Sequence, residues 1–566
     1  MGIATTRYED RMQAATGLLQ EAHPVFEPQA ELCHAGILLA IPALISQGLF
    51  EYKKVYEPLR KGYYGFTSII LTFAIMALCR IKNPEQLKQC KVGEIGRIIG
   101  LDRLPEAKNL RSKLQQIVFQ QKARDFNEHL LNHWLDKEEC IYFYVDGHVR
   151  IYYGSQAQLT SKYVSRQKLC LSATTEYWVN DCTGMPYLVV SGELHEKLQD
   201  VIETQIIPEI LTSDFIKKRQ QQNEPVIFTL IFDREAYQPS FFYRLWKDHK
   251  IAVITYRKNV KDLWTDEYFK SYEIQVIGNN VSMLLYEQKT VLDGHTFREV
   301  RYLGEGGHQT SIITTHPSIG IEQIAGQMFS RWSQENFFRY MIADYDFDKI
   351  VEFGVEAIDE NRMVVNPEYR KLTQRIKKVK EKRGRLEAKF YSLVEKINEN
   401  TIDQLPAITA KQAEYMETIK NLKNQENQLI EQRKQTPARV MLKEMPTNKR
   451  YNKLKTESKL FLNIIKMICY RAETALAEQF TPFFARTKEE KRMLVKQIFN
   501  TAADLVPDEN NKTITIMLYS LSTPRANFAA GKLCELLNET ESVFPDTDYK
   551  LIFKTTASQT TKNQEF

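Results

Sequence analysis

The chain has 566 residues, 43% hydrophobic and 26% charged, with a net charge of +6 at pH 7. That length exceeds a single domain and predicts three or four units, and the composition excludes a disordered or fibrous chain. Eight cysteines without a CxxC pair exclude a zinc ribbon and a disulfide scaffold and point to a reducing compartment. The first 16 residues lack the apolar core of a signal peptide. Residues 62–79 carry no charge over 18 positions, the lower limit for a membrane span, but they include Thr67, Ser68, Thr72 and two tyrosines. A second apolar stretch, 35–50, broken by Pro42, precedes them. Two apolar helices packed in a core are expected, with no membrane partner.

Residues 84–125 predict a short helix, a glycine-containing turn and a basic helix with Leu110, Leu114 and Ile117 on one face. As a helix-turn-helix unit this would aim Lys108, Arg111 and Lys113 at DNA; as a plain bundle it would present a solvated basic face. From residue 140 the pattern turns to strands. IYFYVDGHVRIYYG (141–154) is an aromatic and β-branched run with Asp146 at its centre, and a carboxylate in a buried strand is costly unless something pairs with it. Residues 168–192 predict two strands joined by a tight turn at 181–184, and 195–211 a helix. VIFTLIFD (226–233) is a strand covered on both faces that ends on Asp233. A short helix and the buried strand IAVITYRKN (251–259) follow. The order strand, strand, strand, helix, strand, helix, strand fits an α/β, ribonuclease-H-like mixed sheet flanked by helices, with one acid on the first strand and one at the end of the fourth.

Residues 262–315 interrupt that rhythm with four short strands separated by Gly or Asn turns, a β-rich insertion. Its histidines, His295, His308 and His316, lack regular ligand spacing and are expected in loops or core. The helix RWSQENFFRY places Arg331, Glu335 and Arg339 on one face, with Phe329, Trp332 and Phe337 directed to the core. Residues 368–435 predict a charged antiparallel helical hairpin of coiled-coil type, its seam running through Leu372, Ile376, Val379, Leu386 and Phe390. The basic first arm is read as solvated in preference to DNA-bound.

Two-metal phosphodiester chemistry needs a few carboxylates converging on ions about 3.5–4 Å apart, and hard Mg²⁺ or Mn²⁺ prefers oxygen donors. Asp146, Asp233 and Glu335 are the acids in the right topological places. On YVDGH (Asp146), FDRxxY (Asp233 to Tyr237), VITYRKN with IITTH, and RWSQENFF (Glu335), the chain resembles insertion-sequence DDE transposases whose catalytic domain carries an inserted β subdomain. In that family's last motif a Tyr precedes the Arg and a Lys follows the Glu; here those two positions hold Met328 and Ile342. The resemblance implies cleavage and strand transfer of double-stranded DNA at the ends of a mobile element. It also implies two Mg²⁺ or Mn²⁺ ions on Asp146, Asp233 and Glu335, a homodimer on paired ends, and a bacterial, nucleoid-associated location. His148, Arg234, Tyr256, Arg257, Lys258, Arg331 and Arg339 become candidate DNA contacts. A nuclease without strand transfer, and a DNA-binding scaffold whose acids are structural, are the competing readings. The expected units are an N-terminal helical domain (1–135), a catalytic domain in two parts (136–261 and 316–360) around the insertion (262–315), the hairpin (361–436) and a C-terminal mixed helical domain (437–566).

Overall fold

The computed structural model of the protein describes residues 6–90, 92–164, 167–192, 196–349, 354–394, 405–447 and 450–556. Of the two apolar stretches, the first forms a 3-10 turn (Ala35–Ala40) and a short helix (Ile41–Ser46), and the second forms α1 (Phe66–Leu78). Helix α1 is apolar apart from Thr67, Ser68 and Thr72, and eleven of its thirteen residues are buried, as in a core helix. Among the described residues no helix is long and apolar enough to cross a membrane. The basic helix of the turn-containing segment is α2 (Ala107–Phe119), followed by α3 (Ala123–Glu138).

Among the described residues, ten strands form the central sheet. In chain order they are β1 (Tyr142–Ile151), β2 (Ser161–Val164), β3 (Leu169–Asn180), β4 (Pro186–Gly192) and β5 (Phe228–Phe232). These are followed by β6 (Ile251–Tyr256), β7 (Lys270–Val276), β8 (Asn279–Leu292), β9 (His295–Leu303) and β10 (Gln309–Thr314). The order across the sheet is β2-β3-β1-β5-β6-β10-β9-β8-β7, with β4 also pairing β3. β1 is antiparallel to β3 and parallel to β5, and β5 is parallel to β6. β5 and β6 are almost wholly buried apolar runs, as central parallel strands must be when both faces are covered. Helix α4 (Pro239–His249) makes the crossover between them.

The strands after residue 262 do not form a detached subdomain. β10 pairs antiparallel with β6 (Ile312↔Tyr256, Thr314↔Ile254), so the insertion extends the same sheet. Without β10, the open edge of β6 would leave a row of unpaired backbone groups. A buried ion network locks the join. Glu299 on β9 accepts from Arg257 just beyond β6 (2.5 Å), from Arg301 (2.8 Å) and from Ser311 on β10 (2.7 Å). Arg301 is fully buried, also donates to Asp262 Oδ2, and lies 4.0 Å over the Trp264 ring. Of the insertion's histidines, His295 stacks on Tyr243 at 3.9 Å, and His316 is buried beside Arg298, which together with burial lowers its pKa to about 4.

After β10 come α5 (Ile321–Phe329) and α6 (Trp332–Tyr345), then the hairpin of α7 (Pro367–Val394) and α8 (Leu405–Gln435). The long helix α9 (Glu457–Gln479) runs through the molecule's centre and packs on α1, α3, α2 and β4. The two ends of the chain share one sheet. Gln29–Leu32 pairs antiparallel with Ala503–Asp508, which pairs Thr513–Leu518, itself parallel to Lys550–Thr555. The N-terminal helical and C-terminal mixed segments are thus joined through one core.

Removing one partner of a buried ion group strands the others in a low-dielectric interior. Glu299→Ala leaves Arg301 and Arg257 uncompensated. It is expected to cost about 3–5 kcal/mol, read as a lowered midpoint in urea denaturation.

Candidate active site

The parallel register of β1 and β5 pairs Val145 with Phe232, so the next residues, Asp146 and Asp233, lie side by side on neighbouring strands. Asp146 sits within β1, and Asp233 caps the single turn Arg234–Ala236, where its Oδ1 accepts from the Arg234 N–H at 2.6 Å. The Asp146 carboxylate accepts from the Gly147 N–H at 2.8 Å and keeps 26% of its side chain exposed. Burial is the main cause that pushes its pKa up to about 6; Asp233 and Glu235 add to the rise, and Arg331 and the Gly147 N–H oppose it.

Glu335 arrives on the first turn of α6. Arg331, immediately before α6, donates from Nη2 to Glu335 Oε1 at 2.9 Å, and its Nη1 lies 3.7 Å from Asp146 Oδ2. One guanidinium therefore bridges two of the three acids, and Arg331 is only 11% exposed. Two features hold α6 against the sheet. Gln334 is fully buried and donates from Nε2 to Tyr144 O (3.1 Å), Trp178 O (3.0 Å) and Asn180 Oδ1 (2.9 Å). Gly184, in the β3–β4 turn, has φ +87°, and a Cβ there would stand 2.8 Å from Ser333 O. Only glycine combines that backbone conformation with so close an approach.

Two polar residues that the sequence reading passed over stand beside the acids. The Glu235 carboxylate lies within 3.4 Å of the Tyr177 hydroxyl and has its pKa raised by burial. It approaches β1 at Gly147, where a Cβ would meet Tyr177 Cε1 at 2.9 Å and Glu235 Oε2 at 3.4 Å. Lys162 on β2 donates to Thr175 Oγ1 at 2.6 Å; burial lowers its pKa, while the charge of Glu235 pulls the other way. The one signal in sequence was the acid two residues after Asp233 in DREAY.

The expected DNA contacts divide. Arg234 lies 5.8 Å from the Tyr256 ring centre, Lys258 lies 5.5 Å from that of Tyr237, and burial raises the Tyr256 pKa. These three remain at the strand ends near Asp233. Arg339 is exposed and donates to Asn336, one turn beyond Glu335. Lys108 and Arg111 are exposed on α2, with Arg111 paired to Glu85. Three placements need correction. Lys113 is buried, its Nζ donating to Arg60 O at 3.0 Å, because α2 turns that position inward. His148 is buried between Phe338 and Phe347, with ring centroids 5.5 and 4.7 Å away, since α6 covers that face of β1. Arg257 is committed to Glu299. Trp332, expected in the core, is instead 56% exposed at the start of α6.

As a donor set, three carboxylates with a guanidinium between two of them suit a hard divalent cation in chemistry. Among the described residues, however, no group of three or more His, Cys, Asp or Glu side chains is placed as ligands to one metal ion.

The fold and site define a mixed α/β protein with one acid within a strand and a second at the end of its parallel neighbour. A family profile described as "Transposase protein" matches residues 2–557, and the chain belongs to that family. No curated protein matches it. Among solved structures it is similar to a piggyBac transposase synaptic complex with hairpin DNA, at 12% identity and a TM-score of 0.28. That match covers 54% of this chain and 64% of the other, so this chain spans less than two thirds of that protein.

Gly184→Ala forces a strained φ and a clash under α6. We expect a loss of about 1–3 kcal/mol, measured as a lowered midpoint in urea denaturation.

Proposed function

We propose that the protein is a DDE transposase with a ribonuclease-H-like catalytic core. It would cleave DNA at the ends of a mobile element and transfer the freed strand. The observation that carries this reading is the side-by-side placement of Asp146 and Asp233 on neighbouring parallel strands, with Glu335 of α6 linked to Asp146 through Arg331. The strand order β4-β3-β1-β5-β6, with β3 antiparallel to its neighbours β1 and β4 and the other pairings parallel, supports the ribonuclease-H-like core. Membership of the transposase family supports the reaction class.

In this reading Asp146, Asp233 and Glu335 would hold Mg²⁺ or Mn²⁺, which when bound activates a water or 3′-hydroxyl nucleophile and stabilises the leaving oxygen. The protein's own groups prepare the site. Burial beside other acids leaves Asp146 poorly compensated by anything but a cation, and Arg331 supplies that charge between Asp146 and Glu335. Arg234, Tyr256 and Lys258, at the strand ends, would contact the phosphates of duplex DNA. Exposed Trp332 offers a flat face to a base or sugar at the start of the acid-bearing helix.

The test uses a plasmid carrying the gene with its flanking DNA. Asp146→Asn, Asp233→Asn and Glu335→Gln are each expected to lower divalent-ion-dependent cleavage at least about 100-fold, since each removes a ligand worth several kcal/mol at the transition state. Cleavage by Asp146→Asn at the wild-type rate would sink the proposal. Independently of activity, Mn²⁺ is expected to raise the melting temperature of the wild type and not that of Asp146→Asn, because a cation stabilises only the fold that binds it.

A further inference from the structure

The hairpin's first arm, α7, holds ten Lys and Arg against three Glu, a local +7 in a chain whose total is +6. Its seam against α8 is settled by contacts. Ile376, Leu422 and Leu429 are buried, and Arg383 pairs across the seam with Glu426 at 2.6 Å. The seam positions are Leu372, Ile376, Val379, Arg383, Leu386 and Phe390, spaced 4, 3, 4, 3, 4. One residue earlier, with the same spacing, stand Lys371, Arg375, Lys378, Lys382, Arg385 and Lys389. One residue is about 100° of helix rotation, so these six cations form a single stripe on one lateral face of the hairpin, about 27 Å long.

All six are exposed, and none is ion-paired among the described residues. Of the arm's three acids, Glu381 is near Lys377 and Glu387 is paired with Arg383, while Glu368 stands at the stripe's N-terminal end, three residues before Lys371, in the helix's first turn. Like charges at i,i+3 and i,i+4 repel and weaken a helix, and a face meant only for water mixes both signs. A polyanion removes that repulsion. The stripe is also rooted near the acids. Arg370 donates to Ser161 O at 3.0 Å, and Ser161 pairs with Ser172, six residues along β3 from Trp178, the partner of Asp146. The root thus stands on the order of 20 Å from Asp146 along the sheet.

We propose that this stripe is a docking surface for the phosphate backbone of duplex DNA flanking the cleavage site. The proposal rests on the transposase reading for the identity of the polyanion. It replaces the solvated face expected from composition.

The test measures binding of the full-length protein to a labelled random-sequence duplex in EDTA, with salt varied from about 50 to 200 mM. In one variant the six stripe residues become Gln, which keeps a similar helix propensity; circular dichroism checks that helicity is retained. In a second, Lys377, Lys380, Lys420, Lys423 and Lys434, all outside the stripe, become Gln. Each lost phosphate contact changes the slope of log K against log salt by about 0.9. The stripe variant is expected to show a slope shallower by about 3 and at least about tenfold weaker binding at low salt, and the second variant a slope near wild type. A stripe variant that binds like the wild type, or an equal loss in both variants, overturns the stripe and leaves the catalytic reading standing. A wild type that binds no duplex overturns both.

Discussion

Backbone hydrogen bonding between β1 and β5 in parallel register is the constraint on which the site depends. Side chains alternate faces along a strand, so a slip of one residue would turn Asp146 away from α6 and present Val145 in its place. The register is held from several directions. Val145, Phe143 and Phe232 are fully or almost fully buried, Gln334 ties α6 to the backbones of β1 and β3, and Gly184 lets the β3–β4 turn nestle against Ser333. The acids are placed by packing and hydrogen bonds made by other residues. Their own oxygens accept local hydrogen bonds, Asp146 from the Gly147 N–H, Asp233 from the Arg234 N–H and Glu335 from Arg331.

The distribution of positive charge follows a second logic. Several arginines are spent inside the protein, each against a carboxylate it cannot leave. Arg301 and Arg257 hold Glu299, Arg80 holds Glu473 at 2.9 Å, and Arg471 holds Glu138. Such pairs fix how sheet, insertion and α9 fit together and contribute little to the field outside. Among the cations that remain outward, one group stands at the strand ends by Asp233 and another runs along α7. A modest net charge therefore conceals strongly basic faces, and local charge is what a polyanion meets.

How much of this could be read from residues alone varies with the physics involved. The neighbouring positions of Asp146 and Asp233 were legible because two continuous apolar runs, each ending in or containing an acid, have few ways to pair within one buried sheet. The hairpin was legible because a 4,3 rhythm is a local property. The short strand β2 was not, since a four-residue edge strand carries little periodic signal. Nor was the fusion of the insertion to the main sheet, which rests on Arg257 and Arg301 meeting Glu299 over a sequence separation that no pattern encodes. The same holds for Lys113, His148 and Trp332. Burial of a cation, burial of an imidazole and exposure of an indole are all decided by which neighbour arrives in three dimensions. Glu235 had a local signal, an acid two residues after Asp233, and was overlooked because a single turn can aim either acid at the sheet.

The strand Gln29–Leu32 gives the fold a temporal property. Its partner, Ala503–Asp508, lies roughly 470 residues further along, and the Glu31 N–H waits for the Asp504 carboxylate. At ribosomal speeds of about 5–20 residues per second, roughly half a minute or more separates the synthesis of the two. During that interval the first strand has an unpaired edge and the apolar α1 lacks α9. Closure of the fold is therefore an event of the finished chain, and a translation product ending before residue 503 would lack the partner of its first strand.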